Sequence, residues 1–303
     1  MCCGRRQPPL PAPRSLPRVS ESIVATAKHQ GFPGYTPPMS DTATWIDSHA
    51  HLTMFSTAEI GEALDRATAR GVHGVLVPAT NLDDLDTALG IAAEHPASVV
   101  AGAGIHPHDA STLDAGVKRR IEAALRKPGV VAVGEIGLDY HYMNSPREDQ
   151  LAAFEWQLDL ALEAGLPVIL HNRESWHDLE PALAARCPGL RGVAHSFTEG
   201  PNEALRIVEL GLIIGVSGLL TFSKADNIRE MAAVLTPAQV MVETDSPFLA
   251  PVPYRGQRNE PSYVVEVGRG LAKLWALDAR EVATASTATF RALFGLPEDW
   301  PRV

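Results

Sequence analysis

Cysteine is scarce in this sequence: Cys2, Cys3 and Cys187 are the three in 303 residues. Two adjacent thiols and one distant one form no spaced framework. That argues against a secreted disulfide scaffold, and a reducing, cytoplasmic setting is expected. Long apolar runs are missing as well, since none approaches the ~20 residues that cross a bilayer. No membrane association and no obligate protein partner is inferred. Positive charge is also short. The net charge of −10 argues against a broad basic groove for nucleic acid. It leaves room for a phosphate substrate, because bound metal ions are often the largest local charges in a site. No strand-like segment leads into a Gly-rich dinucleotide fingerprint, which counts against an open doubly wound sheet.

Hydrophobic residues make up 45% of the chain, enough for a sizeable core. The opening "MCCGRRQPPLPAPRSLPR" is rich in Pro and Arg and lacks the apolar stretch of a secretory signal. Residues 1–40 are therefore expected to be a disordered extension, with Met39 a sensible alternative start, and residues 41–303 a single domain.

Beyond residue 40, strand-like and helix-like segments alternate. The strand-like ones are "WIDSHAHL", "VHGVLVPA", "ASVVAGAGIHP", "GVVAVGEIGLD", "LPVILHN", "LRGVAHSF", "GLIIGVSG" and "QVMVETDSP". They are short, β-branched and apolar on both faces, as parallel strands covered by helices are. Eight strand–helix units in roughly 250 residues indicate an α/β fold of the (β/α)8 TIM-barrel type. The expected strand ends carry His49, Val77, Ile105, Glu135, His171, His195, Ser217 and Asp245, each about one strand plus one helix after the last. In a barrel such positions converge at the C-terminal mouth. His51 joins His49 there, because side chains alternate along a strand.

Four imidazoles and two carboxylates are costly to bury together without partners. Divalent ions satisfy them directly, and Mg, Mn or Zn all fit nitrogen and oxygen donors in some proportion. Six ligands exceed what one catalytic ion normally takes from protein. Two ions about 4 Å apart, bridged by a carboxylate, would use them all. Glu135 is the expected bridge, and Asp245 the expected last ligand and proton acceptor in activating water. Asp47 lies deeper on the same face as His49 and is read equally as a ligand or as a group that orients one. His106 and His108 follow strand 3 and are read equally as substrate contacts or as a stiff "HP" turn.

"DSHAHL", "GIHPHD", "VGEIGLDYH", "VILHNRES", "AHSFTEG", "GVSGLLTFSK" and "ETDSPFLAPVPYRGQRNEPSYV" together resemble the TatD family of metal-dependent hydrolases over residues 45 to about 295. The resemblance implies an amidohydrolase-type barrel and a phosphodiesterase described as a deoxyribonuclease. It implies the same metal ligands: His49, His51, Glu135, His171, His195 and Asp245. Ala50 departs from the pattern, standing where many members have cysteine. With phosphodiester cleavage in view, Arg173, Lys224 and Arg255 become expected contacts for the non-bridging oxygens, where negative charge builds. Tyr140 and His141 become expected stacking or rim residues, with His106 beside them.

The expected function is thus metal-dependent hydrolysis of DNA, most simply at single-stranded ends. Hydrolysis of a cyclic amide or ester is the enzymatic alternative. Enzymes of that kind often carry a carbamylated lysine on strand 4, where this chain has Glu135 and no lysine. A non-catalytic metal-binding barrel is the other alternative, and a missing ligand would be its sign; none is missing.

Every expected ligand lies beyond residue 44, so a chain starting at Met39 should keep its turnover and melting temperature. Activity assays and thermal denaturation of the two lengths check this; a drop of several degrees would show that the extension packs on the domain.

Overall fold

The computed structural model describes residues 44–302. The extension expected over 1–40 lies outside the described residues. Eight strands form one parallel sheet in chain order: β1 (Trp45–Asp47), β2 (Val72–Pro78), β3 (Val99–Ala103), β4 (Val130–Asp139), β5 (Val168–Arg173), β6 (Gly192–Ala194), β7 (Ile213–Val216) and β8 (Val240–Val242). Between them run α1 (Thr57–Ala69), α2 (Leu82–Glu94), α3 (Ala115–Ala124), α4 (Arg147–Ala164), α5 (Trp176–Ala184), α6 (Pro201–Glu209) and α7 (Asp226–Ala233), and α8 (Val264–Trp275) and α9 (Ala279–Phe294) follow. Among the described residues no helix is long and apolar enough to cross a membrane.

The helices begin and end where the sequence supplies caps. Ser56 and Glu59 form a capping box at the start of α1, and Asn81 and Asp114 accept backbone N–H groups at the starts of α2 and α3. Gly165 and Gly295 end α4 and α9 in the left-handed conformation that such ends favour.

The sheet closes on itself between β1 and β8. The Ser48 N–H donates to Val242 O (3.1 Å), the Asp245 N–H donates to His49 O (2.9 Å), and Ala50 bridges Ser246 in parallel register. The chain is a (β/α)8 barrel. Its interior is packed by Ile46, Leu76, Val100, Ala132, Ile169, Val193 and Met241, one from each of seven strands. Phe290, Phe294 and Trp300 from the C-terminal end join the same cluster and close its floor. Above that layer the lining turns polar. Two residues beyond Ile169, Val193 and Met241 stand His171, His195 and Glu243, on the same face by the alternation of a strand.

Two expectations about strand ends need correction. β1, β6 and β8 stop before His49, His195 and Asp245, which stand just past the ladders. Glu135 is not at an end: β4 runs on to Asp139, because its pairing with β5 continues to Asp139 and Arg173.

The floor carries much of the stability. Phe290 is almost fully buried, so Phe290→Ala should cost about 3–5 kcal/mol. Chemical denaturation measures the loss, which should come without any change in the residues at the opposite end.

Candidate metal centre

At the C-terminal mouth the six expected ligands meet around one carboxylate. Glu135 Oε1 lies 3.1 Å from His171 Nδ1 and 3.1 Å from His195 Nε2. Its Oε2 lies 3.3 Å from His49 Nε2 and 3.7 Å from His51 Nε2. Asp245 Oδ1 is 3.4 Å from His51 Nε2 and 3.9 Å from His49 Nε2. The carboxylate therefore faces one pair of imidazoles through each oxygen.

These atoms suit divalent cations better than one another. His49 and His51 point their Nε2 atoms at each other across 3.2 Å, and Glu135 Oε2 is buried without a hydrogen bond. A buried carboxylate oxygen left so is costly. Nitrogen and oxygen donors in this proportion match catalytic divalent sites. Among the described residues, three groups have their ligand atoms close enough for one ion: His49, His51 and Asp245; His106, Glu135 and His171; and His49, His195 and Glu243.

Charge is tuned to the same end. Burial alone would raise the Glu135 carboxyl, but the surrounding His195, His106 and His49 outweigh it and hold it well below the ordinary carboxylate range. Asp245 behaves alike: burial pushes it up, and His51, with His195 and His49, pulls it down. Both remain anionic at neutral pH.

A supporting layer lies behind the ligands, and the sequence reading missed it. Asp139 Oδ2 is 3.1 Å from His171 Nε2 and 3.0 Å from His108 Nε2, while its Oδ1 accepts the N–H groups of His141 and Tyr142. Glu243 Oε1 stands 3.3 Å from His195 Nδ1 and accepts the Ser196 N–H at 2.5 Å. A carboxylate behind an imidazole fixes its tautomer and orientation. Period 2 was the available signal. Asp139 lies four residues past Glu135 on one face, and Glu243 two past the interior Met241.

Glycine makes room for both. A side chain on Gly137 would meet His171 O at 1.9 Å, and one on Gly215 would meet Glu243 Oε2 at 2.5 Å. Asp47 does not reach the mouth. It accepts the Thr244 hydroxyl (2.6 Å) and the N–H groups of Thr244 and His49, tying β1 to the loop after β8.

Of the expected substrate contacts, His106 joins the cluster, with Nε2 3.5 Å from Glu135 Oε1, and His108 stands beside it on Asp139. Arg173 is exposed at the end of β5, its guanidinium 4.9 Å from the Tyr142 ring centre. Tyr140 is turned away: its hydroxyl donates to Asp178 at 2.6 Å, with Arg147 over its ring. Arg255 lies 3.7 Å over Phe222 and donates to Ala250 O. Lys224 is exposed beyond the turn that follows β7.

A family model described as "TatD related DNase" matches residues 46–295. The chain belongs to this family. The TatD relationship extends to individual proteins. A metal-dependent hydrolase of Bacillus subtilis, YabD, named as uncharacterized, is 33% identical over 252 residues, covering 82% of this chain and 98% of its own. A protein of Klebsiella pneumoniae named "3'-5' ssDNA/RNA exonuclease TatD" is 35% identical over 245 residues, covering 78% and 91%. The crystal structure of YJJV, a TatD homolog from Escherichia coli K12, superimposes with a TM-score of 0.79 at 33% identity, covering 84% of this chain and 99% of that one. Membership makes the chain a TatD-family metal-dependent hydrolase.

Metal should stabilise the TatD barrel, since a ligand at 100 times its Kd contributes about 2.7 kcal/mol. Thermal denaturation should show a rise of several degrees when Mn or Zn is restored after chelation. Glu135→Gln, which keeps the shape and removes the shared anion, should abolish most of that rise.

Proposed function

We propose that this chain hydrolyses phosphodiester bonds at the ends of single-stranded DNA, with two divalent ions held by His49, His51, Glu135, His171, His195 and Asp245. The observation that carries the reading is Glu135, with Oε1 3.1 Å from His171 and His195 nitrogens and Oε2 3.3 Å from that of His49. Divalent ions, whether Mg, Mn or Zn, supply Lewis acidity toward phosphoryl oxygens and make water a usable nucleophile near neutral pH.

The chain's own residues divide the remaining work. Asp245 takes the proton of the attacking water. Its backbone sits at φ 56°, with its N–H held by His49 O, so the carboxylate projects into the mouth at a fixed angle. Glu135 stays anionic and holds the two halves of the cluster at a set separation. His106 donates a hydrogen bond to a non-bridging oxygen. Its Nδ1 accepts the His108 N–H at 3.2 Å, so the neutral ring carries its proton on Nε2. Burial pushes its pKa down to about 4, which keeps the ring neutral at physiological pH. Arg173 offers a planar fork to a neighbouring phosphate. Lys224 and Arg255 act further along the strand, as longer-range positive charges.

The substrate class rests on two supports. Relatives such as the Klebsiella pneumoniae protein carry the name of a single-strand exonuclease. A net charge of −10 favours holding a few nucleotides at the mouth over tracking a long duplex. Scarce cysteine fits a cytoplasmic enzyme.

Metal-reconstituted protein should degrade end-labelled single-stranded DNA faster than duplex DNA, and leave a dihydropyrimidine panel untouched. Turnover of the cyclic amides instead of DNA would overturn the reading. Asp245→Asn keeps the shape but cannot accept a proton, so turnover at saturating metal should fall by about 10²–10⁴-fold. Turnover within about threefold of the parent would remove Asp245 from that role.

A further inference from the structure

Two aromatic rings stand half-exposed at the mouth, on opposite sides of the cluster. Tyr142 is 55% exposed and Phe248 is 51% exposed. Tyr142 follows β4 and Phe248 follows β8, four strands apart in a closed eight-strand order. Each is three residues past an acidic residue of the site and is hydrogen-bonded to it, Tyr142 through the side chain and Phe248 through the backbone carbonyl. The Tyr142 N–H donates to Asp139 Oδ1 at 2.9 Å, and the Phe248 N–H donates to Asp245 O at 2.9 Å. The Tyr142 ring meets His108 edge-on with centroids 5.5 Å apart, and the Phe248 ring meets His51 at 6.3 Å. Exposed aromatics fixed this closely to a polar cluster present their faces to something else.

We propose that Tyr142 and Phe248 are stacking platforms for the unpaired bases on either side of the scissile phosphate. The inference rests on the phosphodiesterase reading and adds how the strand is seated and why it must be single. Bases offer neutral π-faces that stack on aromatic rings whatever their sequence. A net charge of −10 argues against a broad basic track holding the backbone. Base faces, together with a few local cations, are what this rim recognises. Arg173 lies over one face of the Tyr142 ring, its guanidinium 4.9 Å from the ring centre, which sets a phosphate-binding fork on that side and gives the opposite face to the base. In a duplex the base faces are covered by their neighbours, so the two platforms select a single strand.

The test compares Tyr142→Ala, Phe248→Ala, Tyr142→Leu, Phe248→Leu, Tyr142→Phe and Phe248→Trp on a short single-stranded DNA containing 2-aminopurine. Binding is read as fluorescence quenching in the presence of Ca²⁺, and cleavage as KM and kcat with Mn²⁺. The Ala and Leu variants should each weaken binding and raise KM about tenfold, with a smaller change in kcat, while the Phe and Trp variants bind as the parent does. Unchanged melting temperatures establish that the variants are folded. Binding within twofold of the parent in both Ala variants, or Leu variants as good as the aromatic ones, would overturn the proposal. Should the parent cleave no nucleic acid, the phosphodiesterase reading fails on that result, and the quenching data still decide whether the rings stack on bases.

Discussion

A buried carboxylate shared among imidazoles is the constraint on which the rest of this barrel depends. Glu135 lies almost fully enclosed within β4, and four imidazoles reach it from three other stretches of chain. An isolated anion there would cost several kcal/mol of desolvation. It is tolerable because positive charge, from protons or from divalent ions, is brought to both of its oxygens. The lining of the mouth follows from that need: imidazoles face the carboxylate, and further carboxylates stand behind the imidazoles.

A barrel meets this need economically because each unit delivers one side chain to the same end. The delivery is imperfect by nature, since several of the groups sit beyond their strands. His49 and Asp245 stand on loops, and the seam between β1 and β8 fixes them through the hydrogen bond from the Asp245 N–H to His49 O. Asp47 reinforces that seam through Thr244 rather than by facing the cluster. The residues that look most like ligands by chain position are therefore of two kinds, those that face the cluster and those that hold its walls together.

Much of the fold could be read from residue order alone. Short apolar strands alternating with helices set the architecture, and the recurrence of His and acidic residues at equivalent positions gathered the six groups. Other features were not legible, each for a physical reason. Asp139 and Glu243 were passed over because the reading took a single ligand from each of strands 4 and 8, Glu135 and Asp245, whereas the polar end of this lining is more than one residue deep. The reach of β4 beyond Glu135 depends on its pairing with β5, a non-local property. Tyr140 and Tyr142 are two residues apart in one loop, and only the packed structure shows that Tyr140 is turned onto Asp178 while Tyr142 is half-exposed with Arg173 over its ring. Arg255, similarly, has a ring beneath it that no local pattern announces.

The barrel floor carries a consequence for biosynthesis. Phe290, Phe294 and Trp300 close the interior from the last stretch of the described chain, and Asp245, just past the last strand, meets histidines just past the first. Domains form as units while synthesis runs from the N-terminus. Until residues 240–245 are made, a nascent chain has its opening strand without the closing one, and until residues 290–300 follow, an interior without its base. A product that stops before them is left with an open, apolar barrel that quality-control proteases can recognise.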